Sequence, residues 1–337
     1  MKNHLEVFGT ATVPHLPSAY HSQPWLAGLA HRAEKYRFTG LLIFYDHMTL
    51  DPWVVAGVIL QQSATVTPLV ALQPYTLPPF TAAKLISSMA SVYRRRIDLN
   101  IVTGAAPREL GQVGDELDHD QRYARAAEYV DLLRRLLTSE EPVNWDGTHY
   151  RYRGLLLNAR LPDQLLPRIF VAGSSNASRH LAAQVGHVMI THPEPVELFA
   201  RGFIAARENS GQEIGVRIGL LARNTDEEAW TAALEDHPVD RAARLRTLLK
   251  RDSPSDWNRR LARLAAESDV YDDVYWTGLY NTDLTAAPTL VGSYKRVAEY
   301  LGAYIALGVT KLLLAKVDTE EDFRHAHAVL AQLGQPT

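Results

Sequence analysis

Cysteine is absent from the 337 residues, which removes disulfides, thiolate metal ligands and cysteine nucleophiles from consideration together. Neither sign of charge is in real excess. With 35 Lys and Arg against 38 Asp and Glu the formal net charge is -3, not the basic footprint of a nucleic-acid-binding protein. No run approaches the ~18 consecutive apolar residues of a membrane-spanning helix. The opening MKNHLEVFGTATVPHLPS lacks a basic stretch followed by an apolar one, so a cytoplasmic location is expected. Metal signatures are missing as well: no HxH follows the first strand-like run and no HExxH lies on a helix pattern, so no metal site is expected. The G-x-x-x-x-G-K and G-x-G-x-x-G fingerprints are also absent. What remains is ordinary globular composition, long enough to bury a substantial core.

Short apolar runs alternate with longer helix-patterned segments. The strand candidates are 5–12, 40–46, 67–74, 97–104, 168–173, 187–192, 216–222 and 311–317. Most are near-continuously hydrophobic (LLIFY, PLVAL, KLLLAKV), as strands buried on both faces of a parallel sheet are. Helices are expected at 25–36, at 121–137 with Tyr123, Ala126, Val130, Leu133 and Leu137 on one stripe, and at 319–333, which opens with a Thr-Glu-Glu-Asp cap. Eight strands each followed by helical sequence is the count of an α/β fold of (β/α)8 TIM-barrel type, with an open doubly wound sheet as the other arrangement of the same elements. A single domain spanning 1–337 is expected, with insertions at about 105–120, 140–165 and 225–290. Residues 143–154 (VNWDGTHYRYRG) read as a β-hairpin, and the 225–288 stretch as a lid, part of it mobile without ligand.

Three places carry candidate chemistry. In IFVAGSSNASRHLAAQVG a buried strand ends at Gly173, Ser174 and Ser175 follow, and a helix begins. Backbone amides and hydroxyls there suit a phosphate, although a plain helix cap has the same pattern. LNIVTG places Asn100 and Thr103 at a buried strand end, where polar groups need partners, followed by Asp118, His119, Asp120, Arg122 and Tyr123. FYDHM ends a strand with Asp46 and His47, and a histidine near neutrality can move a proton. Arg217 stands within the apolar run VRIGLLA; such an arginine needs an anionic partner, either a structural carboxylate or a substrate anion.

The blocks LNIVTGAAPREL, LDHDQRYARAAEYVDLLRRLL, VNWDGTHYRYRG, IFVAGSSNASRHLAA and LVGSYKRVAEYLGAYIALGVTKLLL together resemble the bacterial luciferase-like flavin monooxygenases, in their alkanesulfonate monooxygenase branch. The resemblance implies a TIM-type barrel, reduced FMN supplied by a separate NAD(P)H-dependent flavin reductase, molecular oxygen and a small organic molecule as substrates, and a homodimer or higher homo-oligomer. It implies that Ser174 and Ser175, beside Gly173, hold the FMN phosphate, that Thr103, His119 and Tyr123 line the flavin, and that His47 and Arg217 are the catalytic candidates. The branch pattern is not kept throughout. Gly219 stands where a histidine would accompany Arg217, and the lid reads YNTDLTAAP with Tyr280 and Asp283, which points away from a simple alkanesulfonate toward a larger or less anionic substrate such as a biosynthetic intermediate. A deazaflavin-dependent oxidoreductase on the same barrel, or a flavin-binding protein without catalysis, are the alternatives.

Overall fold

The computed structural model describes residues 5–11, 22–104, 107–157, 160–207, 211–236, 255–281 and 287–334. In chain order the strands are β1 (Glu6–Ala11), β2 (Gly40–Ile43), β3 (Thr67–Leu72), β4 (Asp98–Ile101), β5 (Val143–Asp146), β6 (Arg151–Leu155) and β7 (Ile169–Ala172). They continue with β8 (Val188–Thr191), β9 (Glu213–Arg223), β10 (Val270–Tyr271), β11 (Tyr275–Trp276), β12 (Thr289–Ser293) and β13 (Val309–Ala315). The ring β1-β2-β3-β4-β7-β8-β9-β13 closes on itself with every neighbouring pair parallel, which is the expected eight-stranded barrel. All eight strands read from the sequence are in that ring.

Their buried-both-ways composition has a direct cause. On one side of the strands, Leu41, Ile43, Val70, Leu99, Val171 and Leu312 meet the surrounding helices. On the other, Phe8, Leu42, Leu69, Phe170, Val188, Ile190 and Leu313 make a separate apolar plug inside the cylinder. Alternate residues of one strand serve the two cores. Each fully buried Leu or Phe contributes roughly 1.5–3 kcal/mol. Close approach needs a gap in one place: a Cβ on Gly40 would lie 2.3 Å from the Thr67 carbonyl oxygen and 2.7 Å from the Phe8 ring.

The end of the barrel at which strands begin is sealed by ions. Arg168 holds Glu6 and Asp98 at 2.8 Å each, Lys311 holds Glu213 at 2.6 Å, and Arg96 adds a bond to Asp98 at 2.9 Å. Asp98 and Lys311 are almost wholly buried, and such charges persist only because each is paired. With that floor and the apolar plug above it, any ligand must enter from the opposite end, where the strands finish.

Helix ends follow the local chemistry. His119–Thr138 starts with a reciprocal cap between Asp118 and Gln121, and Glu320–Gln332 starts with one between Thr319 and Asp322. The link at 105–120 is less open than its polarity suggests, because Pro107–Gln112 forms a short helix. The hairpin β5–β6 forms as expected and is tied to the His119–Thr138 helix by Glu128, which accepts from the Trp145 indole at 3.0 Å and the His149 and Tyr150 amides at 2.9 and 3.0 Å. Burial alone would raise the Glu128 carboxyl, but these donors hold it below its ordinary value.

The 225–288 region, expected to be an insertion acting as a lid, contains regular structure over much of what is described there. Helices Asp226–Asp236 and Asp256–Glu267 are followed by β10 and β11, which pair antiparallel with each other; β11 in turn pairs antiparallel with β12, and β12 pairs parallel with the outer half of β9. So β9 serves β8 at its start and β12 at its end, which explains its eleven residues. Residues 237–254 and 282–286 lie outside the described residues, as do the side chain of Tyr280 and all of Asp283. No helix among the described residues is long and apolar enough to cross a membrane.

Candidate active site

At the strand-end mouth, β4 and β7 lie side by side, and the segments that follow them converge. Thr103, His119, Tyr123, Gly173, Ser174 and Ser175 all line one cavity of about 100 Å³. The six residues singled out for a flavin nucleotide, from two motifs some fifty residues apart, therefore sit together. Gly173 has φ +141°, and a Cβ there would fall 2.7 Å from Ser178 Cβ and 3.1 Å from the Tyr123 hydroxyl. Only glycine leaves that corner open. Ser175 caps the Asn176–Val185 helix by accepting from the Ser178 amide, so the plain-cap reading holds for its hydroxyl. That ten-residue helix begins at the corner, and the amides of a helix's first turn, which lack carbonyl partners within the helix, favour an anion.

Three residues that sequence reasoning missed complete the corner. Asp256 accepts the Ser174 hydroxyl at 2.7 Å and is held by Arg259 at 3.2 Å and Arg260 at 3.3 Å. Its carboxyl, which burial would raise, is kept below the ordinary range by Ser174 and these two arginines. Trp257 follows and stacks on His192, with ring centroids 4.1 Å apart. His192 ends the apolar run of β8, and its imidazole is held well below its usual pKa by burial first and then by the charges of Arg217 and Arg260. It is neutral at physiological pH. The signal for it was available: His192 continues the inward alternation of Val188 and Ile190. Asp256 and Trp257 come from eighty residues further along, and only tertiary structure brings them here.

Arg217 lies on β9 between Val216 and Ile218, which pack in the outer core, so its side chain takes the barrel-interior face. It has no carboxylate partner among the described residues, and its Nε is sealed from solvent without a hydrogen bond. Burial lowers it to about 10, still cationic at neutral pH. The structural-carboxylate explanation for this residue thus finds no support among the described residues. His192 Nε2 and Asn100 Oδ1 are likewise buried without partners. Such atoms are satisfied when a polar ligand arrives.

His47 is not among the residues lining that cavity. Its Nδ1 lies 3.1 Å from Gln112 Oε1 and its ring meets Tyr45 edge-on at 5.5 Å, while Asp46 turns its carboxylate to the Met48 amide at 2.8 Å. Asp46 therefore does not orient His47. No cluster of three potential metal ligands occurs among the described residues.

A phosphate fits the Gly173 corner by these features. At about 100 Å³ the cavity is below the roughly 300 Å³ at which pockets for whole drug-sized ligands begin.

Comparison with known proteins bears on the family. The model of the luciferase-like monooxygenases matches residues 7–311. A 4-(gamma-L-glutamylamino)butanoyl-[BtrI acyl-carrier protein] monooxygenase, BtrO, of Niallia circulans is 41% identical over 309 residues, covering 91% of this chain and 91% of that protein. Among solved structures, the EDTA monooxygenase EmoA from Chelativorans sp. BNC1 superposes with a TM-score of 0.78 at 18% identity, covering 98% of this chain and 94% of its own. An F420-dependent secondary alcohol dehydrogenase gives 0.66 at 17% identity, covering 97% and 99%. At those identities the two structures establish the fold, while the family model and the BtrO likeness establish descent: the chain belongs to the luciferase-like monooxygenases.

Proposed function

We propose that this luciferase-like, flavin-dependent monooxygenase uses reduced FMN, delivered by a separate NAD(P)H-dependent flavin reductase, and molecular oxygen to oxidise an acyl group carried on an acyl carrier protein. The observation that carries the cofactor reading is the convergence of Thr103, His119, Tyr123, Gly173, Ser174 and Ser175 on one corner beside a helix N-terminus. The likeness to BtrO supports the carrier-bound substrate, and the absence of the histidine that would accompany Arg217 argues against a simple sulfonate. When bound, the reduced flavin would activate oxygen so that one atom enters the substrate and the other leaves as water.

The chain's own part is positioning and dryness. Ser174, Ser175 and the first-turn amides hold the phosphate; Thr103, His119 and Tyr123 face the rest of the cofactor. Trp257 and His192 exclude water over the barrel mouth, where charges act most strongly. Arg217 offers an uncompensated cation to an acidic group of the bound ligand, and His47 is the candidate proton-transfer residue. The 225–288 region acts as the lid through Asp256 and Trp257, and the enzyme works as a cytoplasmic homodimer.

Anaerobic titration tests the cofactor. Reduced FMN is expected to bind tightly and a reduced deazaflavin weakly, with oxygen consumed only when a reductase supplies the reduced FMN. Ser174→Ala should weaken FMN by about tenfold or more, the value of a lost hydrogen bond to a charged group. Preference for the deazaflavin, with no oxygen uptake, would shift the assignment to a hydride-transferring oxidoreductase.

A further inference from the structure

A second cavity, a cleft of about 690 Å³, opens directly from the flavin corner and shares Ser174, Ser175 and Asp256 with it. Four arginines line it, Arg179, Arg201, Arg259 and Arg260, against two carboxylates, Glu194 and Asp256. On a chain of net charge -3 this is a local reversal of sign. Arg260 is committed to Glu194 and Asp256, and Arg259 pairs with Asp256; the other two arginines differ. Arg179 bonds the Ser174 carbonyl at 2.6 Å and the Asn176 side-chain oxygen, both neutral, and has no carboxylate partner among the described residues. Among the described residues Arg201 pairs only with Glu197, one turn away on the same helix and largely exposed, a kind of pair worth little.

The rim has an apolar anchor as well. Leu198 is 43% exposed, and Arg201, whose side chain is 75% exposed, follows three residues later on the same helical face. The turn between them passes from α-helix (Val196–Phe199) into π-helix (Ala200–Ile204), an irregularity that is frequent at functional sites. An exposed leucine beside a solvent-exposed arginine, at the mouth of a basic cleft that runs to the cofactor corner, is a surface for an acidic partner that inserts a slender arm.

We infer that the Leu198–Arg201 rim docks an acidic acyl carrier protein and that the arginine-lined cleft admits its phosphopantetheine arm, whose phosphodiester adds a negative charge of its own. The inference rests on the carrier-bound substrate proposed above and assigns the surface that would receive it. Electrostatic complementarity of this kind governs encounter rate and salt dependence more than chemistry. The rim residues should therefore matter for the carrier and be indifferent to the acyl group alone.

The test uses the full chain and, as probe, phosphopantetheine-loaded BtrI acyl-carrier protein bearing the 4-(gamma-L-glutamylamino)butanoyl group, the substrate in the name of the 41% identical relative. Calorimetry should show binding that weakens steeply with salt, and Leu198→Asp and Arg201→Glu should each raise Kd by about tenfold or more, with Arg201→Lys close to wild type. The same variants should raise KM for the carrier-bound acyl group and leave kcat, reduced-FMN affinity and turnover of the acyl group on N-acetylcysteamine unchanged. Both side chains are exposed, so unchanged thermal melts are expected and would verify the fold. Absence of carrier binding by wild type, unchanged binding in both variants, or an equal loss with the small thioester would overturn the docking surface. Binding that maps to the rim without any oxygenation would uphold the surface and reject the monooxygenase reading, so the two fail separately.

Discussion

One serine hydroxyl has a single proton to donate, and in this structure Ser174 gives it to Asp256 at 2.7 Å. A phosphate arriving at the Gly173 corner would seek the same donor and would meet a carboxylate kept ionised by Arg259 and Arg260. The carboxylate therefore stands in for the anion, and binding is an exchange. Asp256→Asn keeps the size and removes the charge. It should tighten binding of inorganic phosphate and of FMN by about tenfold, the equivalent of one relieved like-charge contact of ~1.4 kcal/mol. Equilibrium dialysis of phosphate and flavin fluorescence measure it. Unchanged or weakened affinity in the variant would mean that the carboxylate does not compete for the corner.

At the scale of elements, what could be read beforehand depended on whether a segment's role was written locally. The eight barrel strands were legible because burial on both faces forces an unbroken apolar run, and the hairpin because Asp146-Gly147 divides two short aromatic stretches. β12 was not, since its five residues follow Pro288 at the end of a polar region and gain their pairing only from distant partners, the far half of β9 and the two-residue β11. The cavity corner was legible as a candidate phosphate site because Gly173, Ser174 and Ser175 are contiguous; the charge that holds Ser174 was not, because Asp256 reaches it across a fold that no spacing encodes. The hairpin also yields an expectation of its own. Glu128 bridges it to the His119–Thr138 helix through three donors, so Glu128→Ala should loosen it by about 2 kcal/mol. Hydrogen exchange should speed up at the His149 and Tyr150 amides while barrel amides keep their protection. Equal acceleration throughout would show that the hairpin is part of the global unfolding unit.

Across the whole molecule, three histidines make stability depend on pH. His187, His192 and His325 all have pKa values below the ordinary 6.5, burial being the first cause in each and nearby arginines contributing. Above 6.5 folded and unfolded chains are both neutral at these sites and the full stability is present. As pH falls below 6.5 the unfolded chain binds protons that the folded one refuses, and stability declines until the depressed folded-state values are reached. The urea midpoint should therefore drop between about pH 7 and pH 5.5, and His192→Phe should flatten that slope. A midpoint independent of pH over this window would contradict the burial of these rings as neutral groups.

The ionic floor built from Glu6, Asp98, Arg168, Glu213 and Lys311 has one more effect. A vessel stoppered at its base has a single doorway, and everything that visits must go in and come out past the same threshold. Traffic then has to queue: whoever settles deepest arrives first and departs last, and a guest standing in the entrance holds back those behind it. Ordered arrival and departure, imposed partly by five charged side chains at the far end from the doorway, is what such a closed base predicts for any pair of ligands that shares the entrance.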